Sequence, residues 1–345
     1  MMRRIDFASD YTEGCHESIL RRLLETNAEK TVGYGLDEYS ALAKEKIKRE
    51  INCPSARVYF LVGGTQTNAT VLDSILARYE GVISAETGHI ATHESGAIEA
   101  SGHKVITIPE TNGKISASDL EASFLKYYTD PTKEHTVMPG AVYISQPTEY
   151  GTVYTKSEVA KISEITHRYH AKLFIDGARL GYALAAREND LTLPDIAKYA
   201  DAFYIGGTKV GALFGEAVVL TNPDICPAFF TMIKRHGALL AKGRILGIQF
   251  DTLFTDGLYF KIAKNAIDTA LYLKNSLADL GYEFFLDSPT NQQFIIINDE
   301  KLEFLKDKVG FSFWERTPDG RNVIRLVTSF MTTREQVDEL LEYFK

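Results

Sequence analysis

The chain has 345 residues, 45% of them hydrophobic, which suits one large domain with a smaller one beside it. Its 46 acidic side chains outnumber 38 basic ones, and the net charge of −8 is spread with both signs mixed, which argues against a nucleic-acid or membrane-surface protein. Three scattered cysteines (Cys15, Cys53 and Cys226) with no Cys-x-x-Cys pair argue against a zinc site or disulfide framework, and fit a reducing cytoplasm.

No secretory signal is visible at Met1–Asp6, and no apolar run approaches bilayer length. Residues 1–30 read as an irregular segment followed by a helix over Glu17–Thr26. A charged, periodic stretch, Tyr39–Glu50, reads as a surface helix that stops before Pro54. From there strands and helices alternate. Val58–Val62 is an apolar run ending in Gly63-Gly64, and Asn68–Arg78 is a helix pattern. Gly81–Ser84 and Lys104–Ile108 read as strands around a short helix at Gly96–Ser101, and Asn112-Gly113 marks a turn. Ser118–Tyr127 and Ser157–Tyr169 read as helices, and Ala141–Ser145, Lys172–Ile175, Ala202–Ile205 and Glu216–Leu220 as strands. This alternation predicts an α/β fold with a mostly parallel central sheet and helices on both faces.

After about residue 222 the pattern changes. One or two helices are expected over Pro227–Phe254, interrupted at Gly237 and Gly243, then a long amphipathic helix over Tyr259–Leu280. Short strands at Tyr282–Phe285, Phe294–Ile297, Phe311–Trp314 and Asn322–Val327 and a last helix, Thr333–Phe344, complete a smaller α+β unit. The expected division is a large domain with the N-terminal segment over 1–250 and a small C-terminal domain over 251–345.

Chemistry concentrates at the strand ends, where open α/β sheets bind ligands. Lys172–Ile175 ends in Asp176-Gly177-Ala178-Arg179, and Ala202–Ile205 runs into Gly206-Gly207-Thr208-Lys209. A strand-end carboxylate followed by a strand-end lysine is what pyridoxal 5'-phosphate (PLP) enzymes need: the amine bonds covalently to the cofactor aldehyde, and the carboxylate keeps the pyridine nitrogen protonated. Each residue also has an ordinary reading. Asp-Gly is a common turn, Arg179 can simply pair with Asp176, and a lone lysine is most often solvated. Gly63-Gly64-Thr65-Gln66-Thr67 opens a helix and suits a phosphate, or is only a turn with Thr65 as N-cap. It is not a P-loop, because no Gly-Lys-Ser/Thr follows. His89, after another strand, suits stacking on a flat ring. His89, His93 and Glu94 have a spacing that a metal pair can use, but lack a third ligand. His93 and His103 read as surface histidines. The conjunction, rather than any one residue, favours PLP.

Together these residues make the chain resemble the low-specificity L-threonine aldolases, in the β-eliminating lyase group of fold-type I PLP enzymes. The likeness spans nearly the whole length: Phe7-Ala8-Ser9-Asp10, Gly33-Tyr34-Gly35-Leu36-Asp37, Gly64-Thr65-Gln66, His89 with Glu94, Asp176-Gly177-Ala178-Arg179, Gly207-Thr208-Lys209 and Ile324-Arg325-Leu326-Val327-Thr328. The resemblance implies Lys209 as the cofactor-bonded lysine and Asp176 as the partner of the ring nitrogen. It further implies Gly64 and Thr65 at the phosphate, His89 on the ring, and Arg179 and Arg325 with Ser9 at the substrate carboxylate. Arg244 matches an arginine that reaches a phosphate across a subunit interface, and Tyr34 is a second candidate for a neighbour's site. A homo-oligomer, dimer or tetramer, is therefore expected. Glu149 stands where much of the family has a histidine, in the loop Gln146-Pro147-Thr148-Glu149-Tyr150-Gly151. Glu149 is then either a general base or a residue that positions His89 or a water.

The activity implied is retro-aldol cleavage of L-threonine, L-allo-threonine or related β-hydroxy-α-amino acids to glycine and an aldehyde. The rivals are another fold-type I activity (β-elimination, transamination or racemisation) and a non-catalytic PLP-binding protein. A nucleotide-binding α/β protein would need a GxGxxG or GxxxxGK[ST] loop after the first strand, and neither is seen.

Overall fold

The computed structural model describes residues 4–345. Its centre is a seven-stranded sheet of β1 (Arg57–Leu61), β2 (Glu80–Ala85), β3 (Val105–Ile108), β4 (Met138–Ser145), β5 (Lys172–Asp176), β6 (Ala202–Gly206) and β7 (Glu216–Leu220). The spatial order is β1-β7-β6-β5-β4-β2-β3, and only β7 runs antiparallel to its neighbours. The carboxyl ends of the other six therefore share one edge.

The strands are short apolar runs because both faces are covered. Along β5, Leu173 and Ile175 enter one core while Phe174 enters the other, and β6 divides Phe203 and Ile205 from Ala202 and Tyr204 in the same way. The first face is packed by helices Glu38–Glu50, Lys156–Arg168 and Leu258–Asp279, and the second by Gly64–Ile75 and Phe229–Arg235.

Beyond the long helix Leu258–Asp279 lies a four-stranded antiparallel sheet of β8 (Glu283–Phe284), β9 (Gln292–Ile297), β10 (Ser312–Arg316) and β11 (Asn322–Val327), ordered β8-β9-β11-β10. The N-terminal segment joins this second unit. Ile5–Asp6 pairs with Val309–Gly310, and Phe7 bonds to both Gly310 and Val327. The reason is apolar: Ile5 and Phe7 are buried in the core of the C-terminal unit, with Leu305, Val309 and Leu326. Residues 8–10 thereby lead from the small sheet back to the large one.

Most expected elements are present with ends displaced by a few residues. The Pro227–Phe254 stretch is two helices, Phe229–Arg235 and Arg244–Leu253. The helices Leu180–Ala185 and Leu193–Tyr199, which follow β5, were not expected from periodicity. Both are short, and the first is buried almost throughout, so it carries no amphipathic stripe.

Candidate active site

Asp176 is the last residue of β5, and strand parity decides which way it faces. It has the parity of Phe174, so it points to the side covered by helix Gly64–Ile75. Tyr143 on β4 and Tyr204 on β6 have the same facing. Their hydroxyls donate to Asp176 at 2.6 and 2.5 Å, Asn68 Nδ2 donates at 3.0 Å, and the Ala178 N–H at 2.9 Å. Burial alone would raise this carboxyl. The nearby His89, the two tyrosines and the Ala178 N–H outweigh it and hold Asp176 below the usual range, so it stays ionised.

Lys209 follows β6 by way of a glycine pair. A Cβ on Gly206 would lie 2.3 Å from the Ala178 carbonyl oxygen, and one on Gly177 would lie 1.9 Å from that of Tyr204. Only glycine lets the two strand-end turns approach this closely, bonded from Gly206 N to Gly177 O at 2.9 Å. Lys209 Nζ has no hydrogen-bond or ion-pair partner among the described residues, and sits 5.9 Å from the Tyr11 ring centroid. Burial and then the Arg179 charge push its pKa down to about 8. A half-buried amine with a depressed pKa and no partner is a nucleophile held ready.

His89 opens a short helix after β2, and Glu149 reaches it from the loop after β4. The contact is to the backbone: the His89 N–H donates to Glu149 Oε1 at 2.9 Å, and Ser145 Oγ donates to the same oxygen at 2.7 Å. Burial, partly offset by these bonds, raises the Glu149 carboxyl. The His89 ring bonds through Nδ1 to buried Glu94 Oε1 at 2.8 Å, an oxygen that also accepts from Asn68 Nδ2 at 2.7 Å. A carboxylate acceptor assigns a proton to Nδ1 and fixes the ring's orientation.

The opposite wall is built from arginines. Arg179 pairs with Asp10 rather than Asp176: Nε meets Asp10 Oδ2 at 2.7 Å and Nη2 meets Oδ1 at 2.9 Å. Asp10 is buried and also accepts from Asn291 Nδ2 at 2.9 Å. Burial works against the Asp10 carboxylate, but the Arg179 and Lys209 charges hold its pKa down. Arg325, on β11, bonds to Gln292 Oε1 at 2.9 Å and lies 5.2 Å from the Trp314 ring centroid. Burial and the like charge of Arg179 lower its pKa to about 10. Buried Arg325 Nε and Ser9 Oγ have no partner among the described residues. Such a wall calls for an anion with several acceptor atoms.

Two adjoining hollows share His89, Glu149, Arg179 and Lys209. The inner one, about 390 Å³, adds Gly64, Asp176 and Tyr204, and the outer cleft, about 1280 Å³, adds Tyr11, His93, Trp314 and Arg325. Helix Gly64–Ile75 begins beside the inner hollow. Its N-cap is Gly63, without a side-chain cap, so Thr65 sits exposed in the first turn instead of capping. The first-turn N–H groups have no partner within the helix, and buried Gln66 Oε1, Thr67 Oγ1 and Thr87 Oγ1 have no partner among the described residues. A free amine, an ionised carboxylate, open N–H groups and orphaned hydroxyls around one hollow fit a group carrying an aldehyde, a ring nitrogen and a phosphate.

Two candidates lie elsewhere in the single chain. Tyr34 lines a separate cavity of about 480 Å³ with Phe60, Phe230 and Leu246, and Arg244 donates to the Glu29 and Thr26 carbonyls at 2.9 and 2.7 Å. His93 is exposed at the lip of the cleft, 6.4 Å between its ring centroid and that of Trp314. His103, expected at the surface, is buried and bonds the Glu80 carbonyl at 3.0 Å. Asp10, Tyr143, Tyr204 and Asn68 were not singled out from the sequence. Tyrosines within otherwise apolar buried strands are the signal that marks two of them, since a buried hydroxyl requires a partner.

The beta-eliminating lyase family model matches residues 6–300. The chain belongs to that family. It is 30% identical over 342 residues to the low specificity L-threonine aldolase of Pseudomonas sp. (strain NCIMB 10558), covering 97% of this chain and 95% of the relative. Among solved structures, Leishmania major threonine aldolase superposes with a TM-score of 0.95 at 40% identity, covering 98% of both chains. An aspartate aminotransferase from Thermus thermophilus shares the fold at a TM-score of 0.73 with 14% identity, covering 99% of this chain and 91% of that one. The β-eliminating lyase therefore has the fold of the fold-type I PLP enzymes, as its alternating strands and helices imply.

Proposed function

We propose that this lyase cleaves L-threonine, L-allo-threonine or a related β-hydroxy-α-amino acid to glycine and an aldehyde, with PLP bonded to Lys209. The observation that carries this reading is the pairing of an ionised, four-donor Asp176 with the partnerless amine of Lys209 in one hollow, faced by two arginines. PLP supplies an electron sink for the pair released when a bond at the substrate Cα breaks.

The chain's own residues set the rest. Asp176 would stabilise a positive charge on the cofactor's nitrogen, His89 would hold its ring, and Gly64 and Thr65 would offer N–H groups to its phosphate. Arg325 receives the substrate carboxylate with its free Nε, assisted by Ser9 Oγ. Arg179 contributes through Nη1, since Asp10 takes its other edge. That grip orients the Cα–Cβ bond for cleavage. His89 Nε2 takes the β-hydroxyl proton, directly or through a water. Glu149, bonded to the His89 backbone, positions the histidine.

Exposed Tyr34 and Leu36 line the Tyr34 cavity, and exposed Val32 and Leu213 line another with Arg244, which favours a homo-oligomer in which Tyr34 and Arg244 serve a neighbour's site. A cytoplasmic enzyme fits the cysteine usage.

The purified protein, loaded with PLP, is to be incubated with L-threonine and L-allo-threonine. Glycine and acetaldehyde in equal amounts are the expected products. Ammonia with 2-oxobutyrate would place the activity in β-elimination instead, and no turnover of either substrate would remove the aldolase reading.

A further inference from the structure

A second buried carboxylate stands behind the Lys209 loop. Glu216 begins β7, opposite Gly206 in the antiparallel register, and is only 3% exposed. Its Oε1 accepts from Thr208 Oγ1 at 2.7 Å and its Oε2 from the Gly207 N–H at 3.1 Å, so it grips the two residues that precede the lysine. Thr208 Oγ1 in turn accepts from Gly215 N at 2.9 Å, which closes the turn into a ring of bonds. No cation bonds to Glu216 among the described residues. A carboxylate this buried with only two neutral donors is costly unless it keeps its proton or a positive charge acts on it, and the Lys209 charge is one that does.

We propose that Glu216 is a positioning residue for Lys209: it fixes the turn that presents the amine and favours the amine's charged form through space. Burial raises the Glu216 carboxyl to about 8, opposed by the Thr208 hydroxyl, the Lys209 charge and the Gly207 N–H. Lys209 is lowered to about 8 by burial and Arg179, against Asp10, Asp176 and Glu216. Two groups moved into one pH range titrate together, and each proton lost by Glu216 makes the next from Lys209 harder to remove. The other groups facing the pair are Tyr11 beside the amine, Tyr182 bonded to the Lys209 carbonyl, and Tyr204 and Tyr259 near Glu216. The tyrosines with resolved shifts lie above their ordinary range and stay neutral here. The Asp10–Arg179 ion pair and ionised Asp176 remain fixed through the same pH range.

The inference rests on Lys209 being the cofactor lysine, but its test needs no cofactor. Full-length cofactor-free protein is labelled with acetic anhydride between about pH 6 and 10, and Lys209 acetylation is followed by peptide mass spectrometry against exposed lysines. The wild-type curve should be broader than a single titration. Glu216→Gln should narrow it, lower its midpoint by up to about one pH unit, and raise labelling mainly above about pH 8, where Glu216 loses its proton, with little change at pH 7. Thr208→Val keeps the charge while cutting one tie, so its midpoint should stay within about 0.3 units of wild type. A single-site wild-type curve near the ordinary lysine value would overturn the coupling without any variant. Coincident wild-type and Glu216→Gln curves, or an equal shift in Thr208→Val, would also overturn it. Failure of the PLP reading looks different: cofactor absorbance that survives Lys209→Ala.

Discussion

On the strand-end wall of the cleft, Asp176 is held by four donors from β4, β6, the helix Gly64–Ile75 and the turn after β5, and Lys209 is fixed by a glycine turn that tolerates no Cβ. On the facing wall, Arg325 Nε and Ser9 Oγ are buried without partners among the described residues, and Arg179 shares its charge with Asp10. The donors around Asp176 are in place before anything binds, so the first wall fixes geometry. The second is left unsatisfied, so it gains most from an incoming carboxylate. The walls also differ in origin. The first comes from the strand ends of one sheet and the helix packed on it, whereas the second joins the N-terminal segment, the β5 turn and β11.

That contrast can be broken at its strongest point first. Lys209→Ala should abolish the near-visible absorbance of bound PLP and lower turnover by about a thousandfold or more, read by spectrum and glycine release. Asp176→Asn should keep the absorbance yet lower kcat by roughly a hundredfold, because the charge at the ring nitrogen is lost. Near-normal kcat in this variant would mean that the rigid wall does not tune the cofactor.

On the facing wall, Arg325→Lys should raise KM about tenfold with a smaller change in kcat, since an ammonium cannot reproduce the guanidinium fork. Asp10→Asn leaves Arg179 buried and unpaired, and should cost about 3 kcal/mol in denaturant unfolding as well as substrate affinity. Glu149→Gln sharpens the comparison most finely. If Glu149 only positions His89, kcat should fall less than about fivefold, whereas a loss of the acidic limb of the pH profile would make it the base.

A last, small effect concerns stability. The folded-state pKa of Lys209 lies below its unfolded value, so the unfolded chain binds more protons between about pH 8 and 10.4. Lys209 therefore destabilises the cofactor-free fold fully below about pH 8, and the penalty fades as pH rises towards the unfolded value. Lys209→Met should raise Tm at pH 7 by a few degrees, about 2–4 °C, with the gain vanishing near pH 10.5.

Much of the strand-end wall was legible because its chemistry is local in sequence. Asp176-Gly177 and Gly206-Gly207-Thr208-Lys209 are short motifs at the ends of apolar runs, and parallel strands bring such ends to one edge. The ties that steady them were harder to see. Tyr143 and Asn68 reach Asp176 across 33 and 108 residues, and Asp10 reaches Arg179 across 169. Glu149 was legible as a site candidate, but its contact with the backbone of His89 instead of the ring was not.

The sequence by itself determined the sheet, its ligand-binding edge and the aspartate–lysine pair, since strand periodicity and glycine turns are set by nearest neighbours. Tertiary structure decided the partners. Apolar burial of Ile5 and Phe7 drew the N-terminal segment onto the C-terminal unit, which delivered Asp10 to Arg179 and set Arg325 among the neutral acceptors of Gln292, Ser312 and Ala8. Which arginine meets a carboxylate and which meets only neutral groups depends on packing between residues hundreds of positions apart, and no local pattern encodes it.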